Sequence, residues 1–177
     1  MEEWLAINFT LPREPSRIRV SIWRKLKRTG SINIGQSIWV LPLNDEHIKI
    51  FNEIAAEVKE NYGQSFVMKT DFLLDQSDQP IVDYFNNARD EEYKEFLEKC
   101  KDFKQEIQKE TEKNNFSFAE IEENEHELRK LNIWLEAIIK RDFFNSSMKE
   151  ESETTLINCK DILENYCNEV YVRNGAL

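Results

Sequence analysis

The spacing of apolar residues changes at Pro80. Before it, apolar residues come in short runs broken by Pro, Gly and Asn; after it, they recur every three or four positions through three long segments. Such a break commits the chain to a small mixed layer followed by helices. At 177 residues there is room for one domain, or a small domain with an appendage. Only 4 Gly and 4 Pro leave few connections, which favours long helices.

The first part resolves into six elements. Trp4 to Leu11 is too apolar for a half-exposed strand and is expected at the centre of a sheet, covered on both faces. Pro12 ends it, because proline cannot donate to a ladder. Ser16 is the expected N-cap of a helix from Arg17, with Ile18, Ile22 and Leu26 on one stripe, Trp23 at its edge, and Gly30 as C-cap. Ser31 to Ile34 and Ser37 to Leu43 read as an antiparallel pair joined at Gly35-Gln36. Asn44 or Asp45 should cap a second helix reaching Tyr62, stopped by Gly63, and Ser65 to Leu74 should form the fourth strand. The order β-α-β-β-α-β is that of a ferredoxin-like sandwich, expected over residues 1–75.

Residues 81–112, 118–144 and 151–171 carry helical periodicity, with polar links at Lys113-Asn114-Asn115 and Asn145 to Lys149. They predict a three-helix antiparallel segment over residues 80–172 packed on the sandwich, so the fold class is α+β. No stretch approaches the roughly 20 apolar residues of a membrane helix, and the first residues lack a secretory signal. Cys100, Cys159 and Cys167 contain no CxxC pair, so they read as buried structural thiols, with a redox pair across helices as the alternative. The expected location is cytoplasmic.

Charge is unevenly placed. Residues 1–43 hold seven Lys/Arg and three acids, a net of +4, whereas the remainder holds 17 against 31, a net of −14. Arg13, Ser16, Arg17 and Arg19 cluster at a proline-bracketed helix start, where N–H groups, a hydroxyl and planar guanidiniums suit an oxyanion or phosphate. Arg24-Lys25-x-Lys27-Arg28 extends the basic face and suits a nucleic-acid backbone. The competing reading is that these arginines pair with the acids of the helical half. Trp23 and Trp39 read as core aromatics, with stacking platforms as the alternative.

The string Leu11-Pro12-Arg13-Glu14-Pro15-Ser16-Arg17, then Val20-x-x-Trp23-Arg24, Gly30, Gly35 and Trp39-Val40-Leu41-Pro42, resembles the N-terminal domain of ChrB-type chromate resistance proteins. Arg89-Asp90-x-Glu92-Tyr93, Phe118-Ala119-Glu120-x-x-Glu123 and Arg141-Asp142-Phe143-Phe144 are similar to later segments of that family. The first 75 residues resemble, more loosely, the central domain of PaaX-type repressors. The resemblance implies a regulatory or accessory role in chromate resistance, with DNA and chromate as partners. Against those regulators the sequence is expected to begin at the first strand, without the preceding winged helix of PaaX, and to stop before the C-terminal domain of full-length ChrB. Small CRISPR-associated nucleases of this fold carry an Asp at the end of the first strand; the strand here contains no acid, which argues against nuclease chemistry.

A second candidate site is the acidic run Glu120, Glu122, Glu123, Glu125, His126 and Glu127. With Asp90 and Glu92 it offers oxygen ligands for a hard divalent cation, with Glu120, Glu123 and His126 as the weak metal candidates. The plainer reading makes Arg89, Asp90, Arg141 and Asp142 structural ion pairs that set helix register. No Walker loop, GxGxxG or GxSxG is present, so the sequence leans away from an enzyme, and no cofactor is expected beyond that metal. The leading expectation is therefore a ChrB-like accessory or regulatory protein, with residues Arg13, Ser16, Arg17, Arg19, Arg24 and Arg28 binding a chromate-like oxyanion or nucleic-acid phosphate, and with a homodimer pooling two basic faces. Its rivals are a protein–protein interaction module built on acidic helices and a metal-dependent enzyme using the Glu cluster.

Overall fold

The computed structural model describes residues 3–71 and 77–175. The elements are β1 (Trp4–Thr10), α1 (Ser16–Arg28), β2 (Ile32–Gly35), β3 (Ile38–Pro42), α2 (Asp45–Glu60), β4 (Gln64–Thr70), α3 (Gln79–Glu112), α4 (Phe118–Ile139) and α5 (Lys149–Arg173). The four strands form one antiparallel sheet in the order β2-β3-β1-β4. That order, with one helix between β1 and β2 and another between β3 and β4, is the ferredoxin-like arrangement read from the sequence. The expected run of the last strand to Leu74 enters 72–76, outside the described residues.

Two compact units divide the chain: Met1–Ala88 with Arg141–Phe144, and Arg89–Lys140 with Asn145–Leu177. The first is built on the central strand. Trp4, Leu5, Ala6 and Ile7 are all buried, as a strand covered on both faces requires. Ile22 and Leu26 of α1 and Phe51, Ile54 and Val58 of α2 complete the core. Ile81 and Phe85, from the first turns of α3, join it, and Trp4 stacks on Phe85 at 5.7 Å. The Trp4 indole N–H donates to Asp78 Oδ1 at 3.1 Å, so the buried ring keeps a polar partner.

Several ends differ from the sequence reading. The residue capping α1 is Pro15, without a side-chain hydrogen bond, and Ser16 is already helical. Thr29 is its C-cap, and Gly30 follows at φ 80, the left-handed position that glycine fills most cheaply. The β2–β3 turn is Gln36-Ser37 rather than Gly35-Gln36, and a register irregularity between Asn33 and Gly35 shifts it by one residue. Asn44 caps α2 as expected, its side chain accepting from the His47 amide at 2.7 Å. Helix α4 ends at Ile139, short of the expected 144. Arg141 to Phe144 leave it because Phe143 and Phe144 have an aromatic seat in the first unit: Phe143 lies 5.1 Å from the His47 ring, and Phe144 lies 5.8 Å from Trp4.

The second unit is a three-helix antiparallel bundle. Tyr93, Phe96, Cys100, Phe103 and Ile107 of α3 meet Ile121, Leu131, Leu135 and Ile138 of α4 and Leu156, Cys159, Leu163, Tyr166 and Val170 of α5. These are the period-three-and-four positions of the sequence. All three cysteines are free. The Cys159 thiol points at the Cys100 carbonyl at 3.8 Å. Hydrogen bonding to Cys159 and burial push the Cys100 thiol up, and burial does the same to Cys167, which keeps both protonated at neutral pH.

Candidate functional site

Helix α1 exists because three apolar residues at positions 18, 22 and 26 share one stripe, and burying that stripe against the sheet leaves the rest of the helix in water. At about 100° per residue the cations fall into two separate groups. Arg17, Arg24 and Arg28 lie on one line, opposite the buried stripe. Arg19, Trp23 and Lys27 lie on another, at i, i+4 and i+8. Arg13 is on the exposed turn before the helix. The six residues read from the sequence as one anion site are thus spread along and around the helix instead of converging on a point.

The first line is solvent-facing. Arg13, Arg17, Arg19, Arg24 and Arg28 are exposed, and none makes an ion pair or hydrogen bond among the described residues. Lys25 differs, being engaged by Glu57 of α2. Over the eleven steps from Arg17 to Arg28 the line extends about 16 Å, at roughly 1.5 Å per residue.

The second line walls an open groove of about 830 Å³. Its floor comes from one face of the sheet. Ile7 pairs with Trp39 and Asn33 pairs with Trp39, so Asn33, Trp39 and, two residues along β1, Phe9 project to the same side. Arg19, Val20, Trp23 and Lys27 rise from α1 beside them, and among the described residues no Asp or Glu lines the groove. Trp39 is core, at 5% exposure, but Trp23 is 50% exposed. The expectation of core aromatics holds for Trp39 and is corrected for Trp23. Its indole lies over the rim of the sheet, one helical flank away from the buried stripe.

Lys27 Nζ sits 6.0 Å from the Trp23 ring centre and 5.9 Å from that of Trp39. Both distances are at the outer reach of a cation–π contact, so each attraction is weak, of the order of 0.5 kcal/mol. Ser37 closes one end at φ 126, a region unusual for any residue but glycine, at a cost of about 1–3 kcal/mol. Asn33 Nδ2 donates to the Ile38 carbonyl at 3.2 Å, which fixes its amide at the groove edge. Asn33, Ser37 and Phe9 were not singled out by the sequence. The i, i+4, i+8 row of Arg19, Trp23 and Lys27 was the signal that could have pointed there.

The acidic helix α4 behaves differently. Among the described residues, no group of three or more His, Cys, Asp or Glu side chains is placed to hold a metal ion. Glu125 pairs with Arg129 and Glu127 with Lys130, while Glu120 accepts from Asn115 Nδ2 at 3.0 Å. Glu120, Glu123 and Glu127 line a groove of about 630 Å³ between α3 and α4, with Lys99 and Lys130 among them. Of the residues expected to set helix register, Arg89 is buried at 3% exposure and contacts Glu92 at 2.9 Å, and Asp90 accepts from the Ser146 hydroxyl. Arg141 and Asp142 fall in the segment after α4, Asp142 being buried. No helix among the described residues is long and apolar enough to cross a membrane.

Sheet order and helix placement define a ferredoxin-like α+β protein that continues into a helical bundle. A family model described as Protein ChrB, N-terminal, matches residues 19–177, and the chain belongs to that family. It is accordingly a chromate-resistance-related protein. Comparison with curated proteins gives no match. The matched stretch begins inside α1, so Arg19, Trp23, Arg24, Lys27, Arg28 and Trp39 fall within it and Arg13, Ser16 and Arg17 precede it.

Proposed function

We propose that the chain is a regulatory or accessory protein of chromate resistance that grips the phosphate backbone of nucleic acid along α1. The observation that carries this is the line of Arg17, Arg24 and Arg28: three exposed guanidiniums with no partner among the described residues, on one stripe about 16 Å long. A compact oxyanion is held by donors converging on one point, preferably away from water. A nucleic-acid strand instead offers a charge every ~3.4 Å of axis, and a spaced row of cations fits it. Family membership supports the chromate-resistance setting.

Anisotropy of a labelled duplex, titrated at several salt concentrations, tests the reading. Replacing Arg17, Arg24 and Arg28 by alanine should reduce the slope of log K against log salt by about 0.9 per lost phosphate contact. An unchanged slope in that variant removes the conclusion. One observation favours a second reading, chromate or sulfate at the helix start: the first turn of α1 has no side-chain cap and no acid. Under that reading Arg17→Ala abolishes chromate-induced quenching of tryptophan emission, and the duplex does not bind.

A further inference from the structure

The groove between α1 and the β2–β3 hairpin has features that a backbone grip does not use. We propose that it holds one unpaired nucleotide of a single-stranded nucleic acid, the base against the Trp23 indole and the phosphate on Arg19 and Lys27; this rests on the nucleic-acid reading of α1. Three observations converge on it. Trp23 leaves half its surface in water although Leu26 and Ile22, its near neighbours, are fully buried, so a flat apolar face stands open. Among the described residues the groove wall carries two cations and no acid, which selects an anion in a protein whose net charge is −10. Its volume of about 830 Å³ suits a small ligand.

Lys27 gives the groove its mode of action. Its ammonium lies between the two indoles, about 6 Å from each, where it is held only weakly. An incoming base displaces it from Trp23, and the flexible side chain then reaches the phosphate that the base brings with it. Asn33 and Ser37, at the hairpin end, present an amide and a hydroxyl to the base edge. Trp23 lies about 120° around α1 from the line of Arg17, Arg24 and Arg28. A duplex lying along that line keeps its stacked bases away from the groove, and only an unpaired nucleotide can turn in. Stacking on an aromatic face tolerates any base, so little sequence preference is expected.

The test compares a short oligothymidylate with a duplex of equal length, using the full chain and following tryptophan emission and labelled-strand anisotropy. The single strand should quench emission. Trp23→Ala should weaken single-strand binding by about five- to 150-fold, the usual range for one lost base stack. Duplex binding by the same variant should change less than about twofold, which also certifies its fold. Trp23→Phe should recover most of the affinity, and Lys27→Gln should lower the single-strand salt slope by about 0.7. Absence of single-strand binding, or wild-type single-strand affinity in Trp23→Ala, overturns the proposal. Single-strand binding that depends on Trp23 but survives loss of the duplex interaction removes only the backbone reading of Arg17, Arg24 and Arg28.

Discussion

Gly63 lies where the end of α2 meets β1. A Cβ built on it would stand 2.4 Å from the Thr10 carbonyl oxygen and 2.6 Å from Val58 Cγ1. Its own amide donates to the Val58 carbonyl at 2.9 Å, and the Tyr62 amide donates to Lys59 at 3.1 Å. These two bonds close the helix in a Schellman motif, with Tyr62 taking the left-handed position at φ 60. The sequence pointed to Gly63 as the stop of a helix reaching Tyr62; α2 ends earlier, at Glu60, and Gly63 takes part in the hydrogen bonds that close it. The reason was hidden, because one glycine cannot serve both the left-handed turn and the close approach to β1. The approach is the stricter demand, since a strand backbone cannot move aside as a side chain can. Gly63→Ala should therefore cost about 2–3 kcal/mol, the upper part of the overpacking range, read as a lowered urea midpoint with unchanged slope. Tyr62→Gly should shift the midpoint the opposite way, by about 1 kcal/mol. Equal midpoints for Gly63→Ala and the parent would show that the contact is relieved at no cost.

The link between α3 and α4 shows the same economy across an element. Helix α3 ends with Asn114 at φ 55 and the Asn115 amide donating to the Glu110 carbonyl at 2.9 Å. Asn115 Nδ2 then bridges Glu110 Oε2 and Glu120 Oε1, and the Tyr166 hydroxyl of α5 donates to the Asn115 carbonyl at 2.5 Å. Hydrogen bonds from Lys113 and Asn115 hold the Glu110 carboxyl below its ordinary 4.5. A carboxylate depressed in the folded state stabilises above its unfolded pKa, and that contribution is lost as pH falls through the folded value. Glu110→Gln should therefore be less stable than the parent at neutral pH, and the difference should close as pH falls below 4.5. Urea melts at neutral pH and near pH 3 read this directly; a gap that is the same at both would place the effect in packing. The asparagines of this link were legible in the sequence as a polar break, because Asn tolerates left-handed backbone. The end of α4 was not. Ile138, Ile139, Phe143 and Phe144 keep an apolar rhythm past the true terminus, and nothing in that rhythm tells which core each ring enters. Periodicity reports that a residue is buried, and only the fold reports where.

For the whole molecule, the β-α-β-β-α-β order was legible because each element carries its own period and its own stop. The site was legible only in part. A list of cations shows net charge, but their division around α1 depends on which stripe the sheet buries, and the groove needs Trp39 from a strand that the sequence places eleven residues beyond Arg28. Charge on the same scale sets a further expectation. Residues 44–177 carry a net of −14 and the first 43 a net of +4, so a nucleic acid docked on α1 is attracted nearby and repelled by the rest of the chain. At about 0.15 M salt the screening length is roughly 8 Å, and the acids beyond the local face contribute little. At about 0.01 M it reaches roughly 30 Å, and more of the repulsion is felt. Affinity for a duplex should therefore rise as salt is lowered, with the slope that counterion release dictates, and then flatten at low salt instead of continuing upward. A straight line through the whole salt range for the parent chain would mean that the acidic majority of the molecule has no say in what α1 holds.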